Sequence, residues 1–407
     1  MGKVMSQKLA GLRILRLLKT LRFKMGKVRL GGLDMYTQGS ENNQVANAFK
    51  ILQQAYKNGA LTLYLGAGAS VPSGLPSWEK LIQSMYFRNM QTEAIRQNLE
   101  PYPNYLYAIS EWVLSRHREP LDIMIRKIKS RYTESEFLRF LKETLYAGFI
   151  QTEDLPDSLL RKRIHRPRKL TAGNPTLEAV VNLCARTIPG DSGVESIITY
   201  NYDNLLELAL EQHQFQCFQT IWNTRQQMQT GLMPIFHVHG YVPTNGEGSA
   251  VHELILSEEH YNRAAQDAFF WGNMVQLQYL GTSVGLMIGL SLADRNIRRL
   301  LDTIRHSPMP CRNFIMLRKP KQITLTDKDV FEIDQMSRRY MARFSRSGSG
   351  VKSRQFIGME LSMIMTEINR IEKQDTEQLL KELRITPIWY ENHEEIPHLL
   401  RQIISGS

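Results

Sequence analysis

Two polar side chains, Asn201 and Asp203, follow directly on a strand-like run, Ile197–Thr199. In open parallel sheets, ligands bind outside the carboxyl ends of the strands, so polar groups at this position are candidates for chemistry. An amide there can orient a ligand but cannot act as a base. The residues alone leave a second interpretation open, in which Asp203 only caps the helix that begins near Leu205.

Two histidines form the next chemically capable stretch, within residues 234–243. His237 and His239 alternate on an extended segment and therefore face opposite sides, so only one of them can readily face the same cleft as Asn201. Gly240 follows His239 and leaves the backbone open to close approach. Two histidines without a nearby Cys or paired carboxylate make a poor metal site, and we therefore expect no metal.

A turn rich in small residues, Gly66-Ala67-Gly68-Ala69-Ser70, follows the run Leu61–Leu65. That run is apolar on both faces, which is typical of a buried parallel strand. Glycines at a strand end let a ligand approach the backbone closely, and the amides of such a turn favour a phosphate. The turn is not a full G-x-G-x-x-G, so the alternative is a turn that only connects two elements.

A second bend, at residues 74–76, includes Leu75 and Pro76 and leads into a predicted helix. Ser77 can cap this helix. Its apolar positions are Trp78, Leu81, Ile82 and Met85, which recur at helical spacing.

The same order of strand, small-residue turn and capped helix recurs later in the chain. Val284–Ile288 is predicted as a buried strand, and Gly289, Leu290 and Ser291 turn the chain. Asp294 can then cap a helix. The inner face of that helix would carry Ile297, Leu300, Leu301 and Ile304.

The remaining elements alternate in type along the chain. We predict a helix that ends at 57–59 and mainly helical structure from 77 to about 190, including 107–113, 121–128, 137–147 and 176–185. Further strands are predicted at 254–256, 313–317 and 385–390, and further helices from 257–259 onward, from about 356 to 383 and from 397 to 404. Residues from about 338 to 354 are predicted to form a mobile basic loop. Strands that alternate with helices predict an α/β fold with a Rossmann-like, doubly wound parallel sheet.

The net charge of +11 lies mostly in one segment. Residues 1–33 hold nine Lys or Arg and no acid, and without them the chain has 42 basic against 40 acidic residues. We therefore predict that residues 1–41 form a basic tail that is disordered or reflects an over-long start. An amphipathic helix that contacts a membrane surface, nucleic acid or an acidic partner, or a transit peptide, remains the alternative. A second basic cluster, at 161–169, is predicted as a solvated loop.

The composition predicts one folded domain over residues 42–407, with a helical insert at about 77–190. Cys184, Cys217 and Cys311 form no C-x-x-C pair, so neither a zinc module nor a disulfide framework is indicated. A reducing, cytoplasmic setting is the simpler interpretation. No apolar run approaches the roughly 20 residues of a membrane span.

Together, these motifs resemble the sirtuin-like NAD-binding family. The matching strings are GAGAS at Gly66–Ser70, LPSW at Leu75–Trp78, NYD at Asn201–Asp203, HG at His239–Gly240, and G-x-S with a following Asp at Gly289–Asp294. The resemblance covers about residues 45–310. In the strings NYDNLLE and GLSLADRNIRRLL it is most similar to the sirtuin-like NAD hydrolases of bacterial antiphage defence systems. Deacetylating sirtuins normally carry four zinc-binding cysteines in C-x-x-C pairs, which this chain lacks.

The resemblance implies that NAD is the substrate and that its nicotinamide–ribose bond is cleaved. Asn201 would orient the ribose or the attacking water, Asp203 would hold the nicotinamide carboxamide, and His239 would be the general base. The diphosphate would be cradled by Gly66, Ala67 and Gly68, and phosphate or ribose hydroxyls would be bound by Ser70 and Ser291. The other motif positions expected in the NAD site are Ala69, Leu75, Pro76, Trp78, Gly289 and Asp294.

Three functions stay open at this point. The first is an NAD glycohydrolase that depletes NAD in antiphage defence; the others are an NAD-dependent deacylase or ADP-ribosyl transferase, and a non-enzymatic NAD or ADP-ribose sensor. A free NAD hydrolase would be toxic, so we expect control by a separate partner protein or by a homo-oligomer. The helical insert is the expected surface for that control. Nucleic acid would act only indirectly or through the basic tail.

Overall fold

A sheet of seven parallel strands forms the centre of the described structure. The strands are β1 (Leu61–Leu65), β2 (Val194–Thr199), β3 (Phe218–Ile221), β4 (Met233–His237), β5 (Val284–Ile288), β6 (Arg312–Arg318) and β7 (Ile385–Tyr390). Their spatial order is β3-β4-β2-β1-β5-β6-β7. The computed structural model describes residues 34–96, 119–147, 173–267, 269–292, 294–306, 312–320, 326–344 and 354–405.

Twelve α-helices connect or flank these strands within the described residues. They are α1 (Asp34–Lys57), α2 (Trp78–Arg96), α3 (Leu121–Lys129), α4 (Glu134–Leu145), α5 (Pro175–Cys184), α6 (Leu205–Gln212), α7 (Glu258–Gln266), α8 (Trp271–Thr282), α9 (Arg295–Ile304), α10 (Asp327–Phe344), α11 (Arg354–Glu382) and α12 (Glu395–Ser405). The chain divides into two compact units, residues 1–48 and 49–407. None of the described helices is long and apolar enough to cross a membrane.

Strand β1 lies at the position where the sheet changes its direction of growth. It pairs with β2 on one side and with β5 on the other. The chain builds β2, β3 and β4 on the first side before β5, β6 and β7 extend the second side. The gap between the carboxyl ends of β1 and β5 is therefore a topological switch point, where doubly wound sheets bind their ligands.

Four residues in register on neighbouring strands show why these segments are buried. Tyr64 of β1 is in register with Ile198 of β2 and with Met287 of β5, which in turn is in register with Ile315 of β6. All four side chains are fully buried and pack in one cluster with the inner face of α9. The run Leu61–Leu65 is buried at every position, as expected for a strand that has helices on both faces of its sheet.

The predicted fold class is confirmed, and most predicted elements are present. Strands β1, β2, β5, β6 and β7 and the helices that follow β1, β2 and β5 lie where the hydrophobic spacing placed them. The described part of the segment between β1 and β2 is mainly helical, as predicted. Helix α1 begins at Asp34, earlier than the start near residue 42 that the sequence indicated.

Two predicted elements differ from the structure. Residues 254–256 are buried but form no strand; the amide of Ile255 instead donates to the carbonyl of His239, and its carbonyl accepts from Tyr202. The basic loop was predicted to start near 338, but residues 338–344 continue α10. Strand β3 was not predicted, because Phe218–Ile221 is short and only partly buried. The tail at 1–33, the helix at 107–113, the basic cluster at 161–169 and the rest of the basic loop lie outside the described residues.

Candidate functional site at the strand ends

The loops after β1 and β5 pack backbone against backbone at the switch point. The amide of Gly66 donates to the carbonyl of Ile288 (3.0 Å), and the amide of Gly68 donates to the carbonyl of Gly289 (3.1 Å). A Cβ added to Gly66 would lie 2.5 Å from the carbonyl oxygen of Gly289. Gly289 has a φ of +68°, and a Cβ there would lie 2.6 Å from the amide nitrogen of Ala69. These glycines let the two loops touch.

This packing changes the expected role of the Gly66–Ser70 turn. The amides of Gly66, Gly68, Ala69 and Ser70 all donate to backbone carbonyls of the protein itself. The turn contains a 3-10 segment at Ala67–Ala69, and a second follows at Val71–Ser73, so these amides do not form a ring that points at a ligand. The sequence-based expectation that Gly66 and Gly68 offer their amides to a diphosphate is therefore wrong for those two groups.

Asn201 is fixed at the end of β2 by three hydrogen bonds. Its backbone amide donates to the hydroxyl of Thr199 (3.1 Å). Its side-chain nitrogen donates to the carbonyl of Gly66 (3.2 Å) and to the hydroxyl of Ser70 (3.1 Å). The carbonyl of Gly66 can only accept, so the orientation of the amide follows from the network. Both N–H groups of the side chain face the protein, and Oδ1 is left as the atom that can accept from a ligand.

The hydroxyl of Ser70 links Asn201 to Asp203 through two hydrogen bonds. Its hydroxyl accepts from Asn201 and donates to Oδ1 of Asp203 (3.3 Å), which also accepts from the backbone amide of Leu205 (3.1 Å). Asp203 thus joins the β1 turn to the first residue of α6, whereas the N-cap residue of that helix is Asn204. Burial raises the pKa of the Asp203 carboxyl from 3.8 to about 6, while the bond from Leu205 acts in the opposite direction.

His239 lies in the turn after β4 and is buried between two tyrosine rings. The ring of Tyr200 meets it edge-on with 5.0 Å between centroids, and the ring of Tyr261 does so at 6.0 Å. Its Nε2 atom is buried and has no hydrogen-bond partner among the described residues. Burial lowers the pKa of His239 below 6.5, and the nearby carboxylate of Asp294 only partly offsets this. The imidazole is therefore neutral, and able to accept a proton, at pH 7.

Asp294 connects His239 to the segment after β5. Its Oδ1 atom caps α9 by accepting from the amides of Asn296 (2.7 Å) and Ile297 (3.0 Å), as predicted. Its Oδ2 atom accepts from the hydroxyl of Tyr261 (2.9 Å) and lies 3.6 Å from Nε2 of His239. That distance is too long for a hydrogen bond. Asp294 therefore acts on His239 through charge, while its own position is fixed by the helix.

The other predicted positions have diverse surroundings. Leu75 is buried at the start of the segment that leads into α2, and Pro76 and Trp78 are half-buried there. Ser291 is exposed in the turn after β5. Gly240 has a φ of +102°, and a Cβ there would lie 2.5 Å from a methyl group of Leu254. Its missing side chain thus makes room for Leu254, which corrects the expectation that it opens the backbone to a ligand.

Two residues that hold this site were not predicted from the sequence. Asn174, fully buried, caps α5 and donates to the carbonyl of Ala69 and the hydroxyl of Ser73, both at 2.8 Å. Glu207 of α6 contacts Nε2 of His237 at 2.6 Å. A single buried acid on an otherwise apolar helix face was the available signal for Glu207. Asn174 stands directly before Pro175, a helix-start signal that could have identified it as a cap, although not its contacts with Ala69 and Ser73.

Two cavities, of about 520 and 290 Å³, lie away from these strand ends and border Arg126 of α3. Their walls contain charges of both signs that pair with each other, as Arg126 does with Glu258 at 3.2 Å. Paired surface charges give a ligand little to bind. Among the described residues, no group of three or more His, Cys, Asp or Glu side chains is arranged to hold a metal ion.

The sheet order and the helices define a Rossmann-like α/β protein, and the polar groups at its switch point form a candidate ligand site. Residues 195–332 match a family model described as a SIR2-like domain. This part of the chain is therefore SIR2-like, which supports an NAD-related function in general terms. The match includes Asn201, Asp203, His239, Gly289, Ser291 and Asp294, and it begins after the Gly66–Ser70 turn. A comparison with curated proteins found no significant match to the chain.

Proposed function

We propose that the protein is an NAD glycohydrolase that releases nicotinamide and ADP-ribose. One observation carries the proposal: Asn201, Asp203 and His239 stand at neighbouring strand ends, each with an atom left over for a ligand or a proton. Oδ1 of Asn201 is not used by the described network, and Nε2 of His239 is buried without a partner. Buried polar atoms without partners are rare in folded proteins, and each calls for an explanation.

The nicotinamide–ribose bond breaks through a transition state with oxocarbenium character, so the protein must hold geometry and present water. Asn201 can accept a hydrogen bond from a ribose hydroxyl or from the attacking water, because its two N–H groups already face Gly66 and Ser70. Positioning of this kind accounts for a large part of enzymatic rate enhancement. Asp203 is proposed to hold the nicotinamide carboxamide, whose N–H groups need an acceptor.

His239 is proposed as the general base. Burial keeps its imidazole neutral at pH 7, so Nε2 can take a proton from a ribose hydroxyl or from water. The Asp294 carboxylate, 3.6 Å away, stabilises the imidazolium that forms. Tyr261 donates to the same carboxylate and keeps it in place.

The remaining NAD contacts are proposals of the same kind. Ser70 and Ser291 are proposed to contact phosphate or ribose hydroxyls. Ala67 and Ala69 would line the diphosphate, together with the surfaces of Gly66, Gly68 and Gly289. The half-buried Pro76 and Trp78 are proposed to border the ligand, with the buried Leu75 supporting them.

The test is a measurement of nicotinamide and ADP-ribose release from NAD by the purified protein. The informative variants are His239→Ala and Asn201→Ala. The matched controls are His213→Ala and Asn58→Ala, which change exposed residues outside the hydrogen-bond network of the site. We expect release by the wild type and both controls and its loss in both site variants. Deacylation of an acyl-lysine peptide, or transfer of ADP-ribose to protein in place of hydrolysis, would support the deacylase or transferase instead. NAD binding without turnover, alone or with extract of infected cells, would support the sensor.

A role as an NAD-depleting effector in antiphage defence is the corresponding proposal for the cell. It is supported by the likeness of the motif strings to the defence-associated hydrolases and by the toxicity that a free NAD hydrolase would have. We expect bacteria that express the wild type to lose NAD after phage infection and to yield fewer plaques. Bacteria that express His239→Ala should do neither. Equal plaque counts for the two strains would contradict this role.

A further inference from the structure

His237 is buried and has both ring nitrogens in contact with oxygen atoms. Nδ1 lies 3.0 Å from the backbone carbonyl oxygen of Asn201, and Nε2 lies 2.6 Å from Oε1 of Glu207. The His237 side chain is 1% exposed and that of Glu207 is 6% exposed. Neither side chain points into solvent, so neither contact can be replaced by water without opening the structure.

Counting hydrogens in this chain of contacts fixes its protonation. A carbonyl oxygen can only accept, so Nδ1 of His237 carries a hydrogen. The 2.6 Å contact between Nε2 and Oε1 also requires a hydrogen, because two lone pairs at that distance would repel each other. Either Glu207 is protonated and donates to a neutral imidazole, or an imidazolium donates to an ionised Glu207. In both cases the pair contains one more proton than a neutral His and an ionised Glu would.

We propose that Glu207 and His237 are positioning residues that hold Asn201 in its working orientation through this one shared proton. The carbonyl of Asn201 is anchored by His237, its amide by Thr199, and its side chain by Gly66 and Ser70. Removing the carbonyl anchor leaves only the bonds to Thr199, Gly66 and Ser70, so Oδ1 can shift from its position. The proposal rests on the proposed NAD glycohydrolase only for its activity measurement.

Other titratable groups face the pair. The charge of Asp203 acts on Glu207, and Glu211 lies one turn further along α6. The ring of Tyr241 meets that of His237 at a tilt of 60°, with 4.5 Å between centroids. Tyr146, the residue after α4, lies near Glu207. Burial raises the pKa of both tyrosines above its usual range, so neither carries charge at neutral pH. A neutral pair is thus surrounded by acids and neutral rings.

The matched variants are Glu207→Gln and Glu207→Ala. The glutamine amide can donate to Nε2 of His237, so Asn201 stays anchored. We expect Glu207→Gln to stay close to wild-type activity at pH 7, and Glu207→Ala to lose about 10- to 100-fold in kcat/KM. Equal rates for the two variants would overturn the proposal.

Nitrogen-15 NMR of labelled histidine tests the same pair without any turnover. We expect Nδ1 of His237 to carry a hydrogen in the wild type and in Glu207→Gln. An unprotonated Nδ1 in the wild type would overturn the proposal even if NAD is cleaved. If Nδ1 is protonated but the wild type cleaves no NAD, then the proposed function has failed and the pair's protonation stands.

Discussion

Two buried histidines stand two residues apart at the end of β4 and have opposite surroundings. His237 uses both ring nitrogens, on the carbonyl of Asn201 and the carboxyl of Glu207. His239 leaves Nε2 without a partner, between two tyrosine rings and 3.6 Å from Asp294. A fully bonded ring fixes structure, whereas a buried ring with an unused lone pair is available to a reactant. The comparison separates a positioning group from a reacting group.

The largest expected effect is on the rate of NAD cleavage. If His239 is the general base, His239→Ala should lower kcat/KM about 10²- to 10⁴-fold. The steady-state rate of nicotinamide release measures this. A rate within a few-fold of wild type would remove His239 from the chemistry.

His237→Ala should lose more stability than His239→Ala, although His239→Ala should lose more activity. Both rings are buried, so both alanine variants leave a cavity, but only His237→Ala also leaves Glu207 buried without its partner. Breaking a buried pair costs about 3–5 kcal/mol. We therefore expect His237→Ala to lose about 3 kcal/mol more unfolding free energy than His239→Ala. Urea titrations of both variants at pH 7 measure the difference, and equal losses would contradict the contrast.

Asp203 offers a test in which activity and stability move in opposite directions. Burial raises its pKa from 3.8 to about 6, so the folded state binds the proton more tightly than the unfolded state. The wild type should therefore lose stability as the pH rises from about 4 to about 6, by up to about 3 kcal/mol, and stay at that lower level above pH 6.

Asp203→Asn should lack this loss, because the asparagine oxygen can still accept from Leu205 and Ser70 and carries no charge. We expect the variant to unfold at higher urea than the wild type at pH 7.5 and to have lost NAD cleavage. Urea titrations at pH 4 and pH 7.5 provide the comparison. A variant with the same pH dependence as the wild type would show that Asp203 does not titrate in this range.

The smallest expected effect concerns the charge beside His239. The Asp294 carboxylate raises the pKa of His239 against the effect of burial. Asp294→Asn keeps an oxygen that can cap α9 but removes that charge, so the pKa of His239 should fall further. The acid limb of the pH–rate profile should move to lower pH, by about one unit or less. A shift to higher pH would mean that a different group sets that limb.

The sequence predicted the sheet well because its central strands are local, apolar runs. The apolar composition of Leu61–Leu65 and of Val284–Ile288 indicates buried strands, and the capping residue Asp294 indicates the start of a helix. Strand β3 was not predicted, because it has only four residues and three of them are only partly buried. Residues 254–256 have a strand's composition, but their partners are loop atoms that no local pattern reveals.

The candidate site was predictable as a set of motifs but not as a network. The strings around Gly66, Asn201 and His239 indicated which residues matter, and the structure brings Ser70, Asn201 and Asp203 into one chain of hydrogen bonds. The engagement of the Gly66 and Gly68 amides, and the pairing of His237 with Glu207, depend on contacts between distant segments. Such contacts are set by how the strands are ordered in the sheet, which residue spacing does not encode.

The most direct test of the account is nicotinamide release measured side by side for the wild type, His239→Ala and His237→Ala, each checked for folding by circular dichroism. We predict release by the wild type, none above background by folded His239→Ala, and a reduced rate for His237→Ala that remains measurable. Wild-type rates from His239→Ala, or no release by the wild type even with extract of phage-infected cells, would contradict the claim that this strand-end site cleaves NAD.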